Sequence, residues 1–336
     1  MPAPARRREL GRGERVLPGL WRLRLPLPWP GVPHCNAWAV AAGDGVVLFD
    51  TGMHEPGSFG HMERAMDQVN LRPELIRTIA CTHAHSDHYG QAGTLVDRSG
   101  APLWMHPDWG HMKLAASDPD AALALRIEIA KQSGVPAEPL RAYQEARAGE
   151  TYGVARLVEP DHDLVNGVVI DSDLGPWEVH ETPGHAPSHV VFFQPERRLL
   201  ISGDHLLGRV SLYFEYGWSP DPVGEFLRSL DVVEQLDVRL VLSGHGRTFT
   251  DVQAHIDANR KLVHERLDLV RSVLRSHGPM TAYAAVPLLF PGQLSAMSAT
   301  WLLQETLAFL RHLEMIGEAQ RERFEDVDEP EAWSIQ

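Results

Sequence analysis

Apolar positions along this chain follow two rhythms, a short strand-like one and a longer helical one, and the changes between them outline a fold. From Val16 onward, brief β-rich runs stand between turn signals. WAVAA (38–42), the turn-forming GDG and VVLFD (46–50) predict a hairpin. SFGHMERAMDQVNL (58–71) has helical spacing and leads through Arg72-Pro73 into LIRTIACTH (75–83), a predicted strand. GQAGTLVDRSG (90–100) reads as a short helix stopped by glycine, and PLWMH (102–106) as a further strand. Such alternation is that of a layered α/β protein.

From Asp108 to about Glu150 the pattern turns helical, with the Ala-rich AALALRIEIAKQSG (121–134), and is expected to be an insertion. Strands then return as GVVIDSD, WEVHETPGH, HVVFFQ, RRLLISGDH and VRLVLSGHG, with a helix expected over DPVGEFLRSLDVVEQL (221–236). After Asp251 come three helical segments: a long amphipathic one closed by Gly278, TAYAAVPLLF (281–290) and SATWLLQETLAFLRHLEMIGE (298–318). They suggest a small C-terminal domain of winged-helix type, after which QRERFED trails off. The expected division is a flexible N-terminus over 1–15, a main α/β domain over 16–250 with the insertion at about 108–150, and a C-terminal domain over 251–336.

Composition narrows the function. The 336 residues are 43% apolar and 23% charged, ordinary for a globular chain, with a formal net charge of −14. A nucleic-acid-binding face would have to be a local exception to that field. Cys35 and Cys81 are the only cysteines and form no CxxC, so two buried thiols are expected rather than a disulfide framework. The Pro/Arg-rich start lacks the apolar run of a secretory signal, and no stretch reaches transmembrane length. A cytoplasmic protein with no membrane contact is the expectation.

The densest chemistry is CTHAHSDHYG (81–90), where His83, His85, Asp87 and His88 crowd together at the end of an apolar run. Neutral imidazoles and carboxylates are the ligands that zinc and similar metals take. Three partners follow beside glycines: His185 in TPGHAPSH, Asp204 in ISGDHLL and His245 in LSGHGRT. Glycine lets the backbone approach closely at such points. The seven divide into two sets, His83/His85/His185 and Asp87/His88/His245, with Asp204 able to bridge both. Any other histidine alone is better read as ordinary; His111, His255, His264, His277 and His312 are taken as surface or helix-face residues. His189 and His205 are left open between structural and supporting roles.

H-x-H-x-D-H followed by His, Asp and His at strand ends resembles the metallo-β-lactamase superfamily, over about Val16 to Thr250. That resemblance implies an α/β fold, the αββα sandwich, with two divalent metal ions at one edge of its sheets: zinc first, iron or manganese as alternatives. VVLFDTG resembles the family's first motif, so Asp50 would orient metal ligands. Common dinuclear β-lactamases carry cysteine where this chain has Asp204, and TPGHAPSH is close to the TPGHTPGH of the glyoxalase II, lactonase, phosphodiesterase and nuclease branches. Antibiotic hydrolysis is therefore disfavoured.

The resemblance implies a metallo-hydrolase in which a metal-bridging hydroxide attacks the substrate directly, with Asp87 and Asp204 as catalytic carboxylates. The first expectation is an ester or thioester hydrolase of glyoxalase II, acyl-CoA thioesterase or lactonase kind, acting on a small acyl substrate. In LLGRVSLYFEYGWSP (206–220), Tyr213, Phe214, Tyr216 and Trp218 are candidates for an apolar pocket wall, or for packing, and Arg209 for an anionic substrate. The C-terminal extension also resembles that of lactamase-β-like-2 proteins, which makes a phosphodiesterase or endoribonuclease the alternative. A non-catalytic metal-binding interaction module is a distant third. Oligomeric state is left open, a homodimer included.

Overall fold

The computed structural model describes residues 10–29, 31–149, 152–292, 298–322 and 329–336. Its first strands are β1 (Arg12–Leu17), β2 (Leu20–Pro26), β3 (His34–Ala42) and β4 (Gly45–Phe49). Helix α1 (Ser58–Asp67) leads to β5 (Ile76–Ala80), and α2 (Ser86–Tyr89) and α3 (Ala92–Ser99) lead to β6 (Leu103–Met105). Three helices follow: α4 (Gly110–Ser117), α5 (Pro119–Gln132) and α6 (Ala137–Arg147). Next come β7 (His162–Asp163), β8 (Val169–Ile170), β9 (Trp177–Glu181), β10 (Val190–Gln194) and β11 (Leu199–Gly203). Helix α7 (Pro222–Glu234) precedes β12 (Leu240–Ser243). The chain closes with α8 (Val252–His277), α9 (Ala282–Leu289), α10 (Ala299–Met315), β13 (Ala319–Glu322) and β14 (Ala332–Ile335).

The strands form two large sheets, β1-β2-β3-β4-β5-β6-β7 and β12-β11-β10-β9-β8, plus the antiparallel pair β13-β14. Successive side chains of a strand point to opposite faces, and that alternation builds the layers. In β4, Val47 and Phe49 face the second sheet while Val46 and Leu48 face α1 and α3. In β10, Val190 and Phe192 join the layer between the sheets, and Val191 and Phe193 meet the outer helices. A strand covered on both faces needs a continuous apolar run rather than alternation, and VVFF supplies it. Each such side chain, once buried, contributes roughly 1.5–3 kcal/mol. The result is the αββα order of helices, two sheets and helices.

Two expectations about the ends are corrected. Arg12 to Arg15, assigned to a flexible terminus over 1–15, belong to strand β1, paired with β2; residues 1–9 of that stretch lie outside the described residues. The tail expected to trail off from Gln320 instead opens inside β13, and Ala319 pairs with Ile335 of β14. Trp333 of β14 is buried in the same apolar cluster as α8 and α10, which is why the tail is held. Part of QRERFED, residues 323–326, lies outside the described residues. Among the described residues no helix is long and apolar enough to cross a membrane.

Candidate metal centre

Five strands deliver polar groups at their C-terminal ends. β4 runs into Asp50, β5 into Thr82 and His83, β9 into His185, β11 into Asp204 and β12 into His245. β4 and β5 are parallel, as are β11 and β12, so within each sheet these ends lie on one edge. Hydrogen bonds tie the two edges together: Val190 N donates to Thr82 O at 2.7 Å, and Asn36 Nδ2 to Ser243 O at 2.8 Å. Functional groups on loops held by a rigid sheet keep their geometry.

In the first set, His85 Nδ1 lies 3.0 Å from both His83 Nε2 and His185 Nε2. The outward nitrogens have their own partners. His83 Nδ1 is 3.0 Å from Thr82 Oγ1, His185 Nδ1 3.2 Å from the Tyr213 carbonyl, and His85 Nε2 3.2 Å from Glu215 Oε2. A neutral imidazole has one proton; donated outward, it leaves a lone pair facing inward on all three rings. Burial disfavours the charged form of two of them, pushing His83 well below its ordinary value and His185 down to about 3, with the neighbouring histidines adding to it.

The second set joins Asp87, His88 and His245. His245 Nε2 lies 3.1 Å from Asp87 Oδ2 and 3.1 Å from Asp204 Oδ2, and 3.4 Å from His88 Nε2. Again the outward nitrogens are engaged, His88 Nδ1 by Asp50 Oδ2 at 2.8 Å and His245 Nδ1 by the His34 carbonyl at 2.9 Å. Burial works against charge here, yet Asp204 and Asp87 outweigh it, holding His88 well above its usual value and pushing His245 up to about 10. The same burial acts on Asp87 and Asp204, and the imidazoles of His88 and His245 keep both carboxyls well below the usual range. This set therefore calls for positive charge.

Asp204 touches both sets. Its Oδ2 is 3.7 Å from His185 Nε2 as well as 3.1 Å from His245, and its Oδ1 is 3.3 Å from His88 Nε2 while making no hydrogen bond. Inward lone pairs, the carboxylates of Asp87 and Asp204 and an orphaned carboxylate oxygen are a donor set that fits divalent cations. Asp50 supports it from behind. Held at φ 62°, a left-handed conformation that aspartate tolerates, it accepts from Thr82 N at 2.7 Å and from His88.

The other expected residues divide. Tyr213 lies against the first set, its ring 5.9 Å from His85 and 5.6 Å from His185. Trp218 stands 6.1 Å from His111. Phe214 is not a pocket residue: it is 0% exposed and packs on Phe226 and Phe309, because its position in the loop alternates away from Tyr213. Tyr216 packs on the C-terminal helices, its amide bonded to Gln304. Arg209 is exposed. His189 holds the Asp204 amide at 3.1 Å through Nε2, and His205 packs on Phe226. The sequence reading missed Glu215 and misplaced His111, which is 4% exposed and 3.6 Å from Glu215. A lone carboxylate inside YFEYGW was the available signal.

Residues 30–245, well over half of the chain, match the metallo-beta-lactamase superfamily. The chain belongs to that superfamily. Residues 267–328 match the metallo-beta-lactamase-like C-terminal domain. Among curated relatives, the probable metallo-hydrolase YqjP of Bacillus subtilis is 28% identical over 257 residues, 74% of this chain and 78% of its own. An atrochrysone carboxyl ACP thioesterase of Aspergillus chevalieri is 24% identical, over 71% of this chain and 60% of its own. A metallo-beta-lactamase family protein from Thermus thermophilus superposes with a TM-score of 0.82 at 27% identity, covering 96% of this chain and 100% of its own. The chain is thus a metallo-hydrolase of the metallo-beta-lactamase superfamily, and its His/Asp clusters could hold metal ions.

Proposed function

We propose that this superfamily member hydrolyses a small acyl ester or thioester with two divalent cations, zinc in the first instance. The observation that carries the dinuclear reading is Asp204, whose Oδ2 stands between His185 of one set and His245 of the other while Oδ1 faces His88. His83, His85 and His185 would hold one cation; Asp87, His88 and His245 the other. Bound there, such a pair supplies Lewis acidity, lowering the pKa of water to roughly 7 and polarising a carbonyl.

This chain's own groups do the rest. Asp204 fixes the spacing between the sets, and Asp50 keeps His88 in the tautomer that presents Nε2. The Asp87 carboxylate would also take the proton of the attacking water and return it to the leaving sulfur or oxygen. The new carbon–oxygen bond forms at the carbonyl carbon, and the carbon–sulfur or carbon–oxygen bond to the leaving group then breaks, giving an acid and a thiol or alcohol. Tyr213, beside His85, and Trp218, beside His111, would supply apolar surface for an acyl group.

The thioester choice draws on the thioesterase among the relatives and on charge. The second reading, a phosphodiesterase or endoribonuclease, draws on the C-terminal elements α8-α9-α10-β13-β14 and on a β-lactamase-like protein 2 homolog from Caenorhabditis elegans, 22% identical, among the relatives. Against it, among the described residues Arg260, Arg271, Arg311 and Arg321 of the C-terminal region each pair with carboxylates, which reduces the charge they offer a phosphate backbone. Two free, buried cysteines fit a cytoplasmic setting. The test is a panel of thioester, lactone, ester, phosphodiester and RNA substrates with metal-loaded and metal-stripped protein. Thioester or ester turnover that disappears on stripping supports the proposal; RNA cleavage with steep salt dependence replaces it by the second reading.

A further inference from the structure

Each candidate cation position has one histidine backed by a carboxylate. For the second it is His88, on Asp50. For the first it is His85, whose Nε2 lies 3.2 Å from Glu215 Oε2. Glu215 sits between aromatic residues in an otherwise apolar stretch, where burying a carboxylate is costly unless it is paired. Behind it stands His111 of α4, with Nε2 3.6 Å from the same oxygen and neither ring nitrogen hydrogen-bonded.

The neighbours of Glu215 are pinned to the C-terminal helices. Phe214 packs 5.7 Å from Phe309 of α10, and the Tyr216 amide donates to Gln304 of the same helix at 3.0 Å. The segment that carries the carboxylate is therefore held by α10, a helix that among the described residues supplies none of the candidate ligands. On the other side, α4 brings His111 from the insertion. Both additions to the sandwich meet at this one side chain.

We infer that Glu215 is a positioning residue for the metal centre: by accepting the Nε2 proton of His85 it fixes the tautomer that leaves Nδ1 bare, and α10 sets where it stands. A neutral imidazole has two tautomers, and only the one protonated at Nε2 gives the first set a third inward lone pair. A carboxylate in that place also makes the ring a stronger donor. The inference rests on the two-cation reading proposed above.

The test is titration of metal-free protein with cobalt(II), followed by its visible absorption, for wild type, Glu215→Ala, Glu215→Gln and His111→Ala. Wild type takes up two equivalents. Glu215→Ala binds one of them roughly 10–100-fold more weakly, the cost usual for such partners, and the other unchanged, which also shows that the fold has survived. Glu215→Gln, whose amide oxygen still accepts from Nε2, recovers most of the loss. Unchanged binding by Glu215→Ala overturns the inference while leaving the two-cation reading intact, and so does a glutamine variant no better than alanine. A third equivalent in wild type that vanishes in both Glu215→Ala and His111→Ala would make these residues ligands and overturn it too. A wild-type chain that takes up no cobalt overturns the metal reading and this inference with it.

Discussion

A Cβ atom on Gly244 would stand 2.3 Å from Oδ1 of Asp204 and 2.8 Å from the His88 ring. The end of β12 passes so close to the centre that a methyl group there must displace the carboxylate. Gly244→Ala is therefore expected to lower hydrolysis about 100-fold, the cost of roughly an ångström of misplacement. Circular dichroism should match wild type. Full activity would show that Asp204 has room to move.

Asp50 makes a second kind of prediction. Asn in its place tolerates the same backbone conformation, but its amide nitrogen can turn toward His88 Nδ1 and so favour the other tautomer. Asp50→Asn should fold normally and lose 10–100-fold in metal affinity, measured by competition with a chelator. Affinity equal to wild type would remove Asp50 from the support of the centre.

Phe214 separates packing from substrate contact. Buried between Phe226 and Phe309, its truncation to alanine should destabilise the protein by about 3–5 kcal/mol in denaturant unfolding. A lining residue would instead change KM and leave stability nearly unaltered.

How far the sequence carried this reading follows from the same residues. The hairpin of β3 and β4, the strand ends and the seven clustered side chains were legible because period-2 apolar runs stop at glycine-flanked His and Asp. Glu215 and His111 were not. Their partnership joins an inserted helix to a loop more than a hundred residues on, and no local period records such a contact. Phe214 and Tyr213 are adjacent aromatics with opposite destinations, which composition alone does not separate. The terminal strands escaped for a related reason: β1 is rich in arginine and glutamate, and its edge position is set by pairing with β2.

The joint between α7 and α10 should be acid-sensitive. Asp221 caps α7 through the Gly224 amide at 2.9 Å and meets His312 Nδ1 at 2.9 Å. Burial pushes its carboxyl up, but these two hydrogen bonds outweigh burial and leave it below its ordinary value. A carboxyl depressed on folding stabilises the fold above its unfolded value of about 3.9 and loses that contribution as pH falls through the lower folded value. Asp221→Ala should cost about 1 kcal/mol at pH 7, a typical cap, and the difference from wild type should shrink below pH 4 in thermal melts. A difference independent of pH would assign the effect to packing.

The most direct measurement is anomalous diffraction from crystals of the metal-loaded protein. The account predicts two ions, one among His83, His85 and His185, the other among Asp87, His88 and His245, with an Asp204 oxygen toward each. Ions bound elsewhere, or only one ion with Asp204 turned away in a fully active protein, would contradict it.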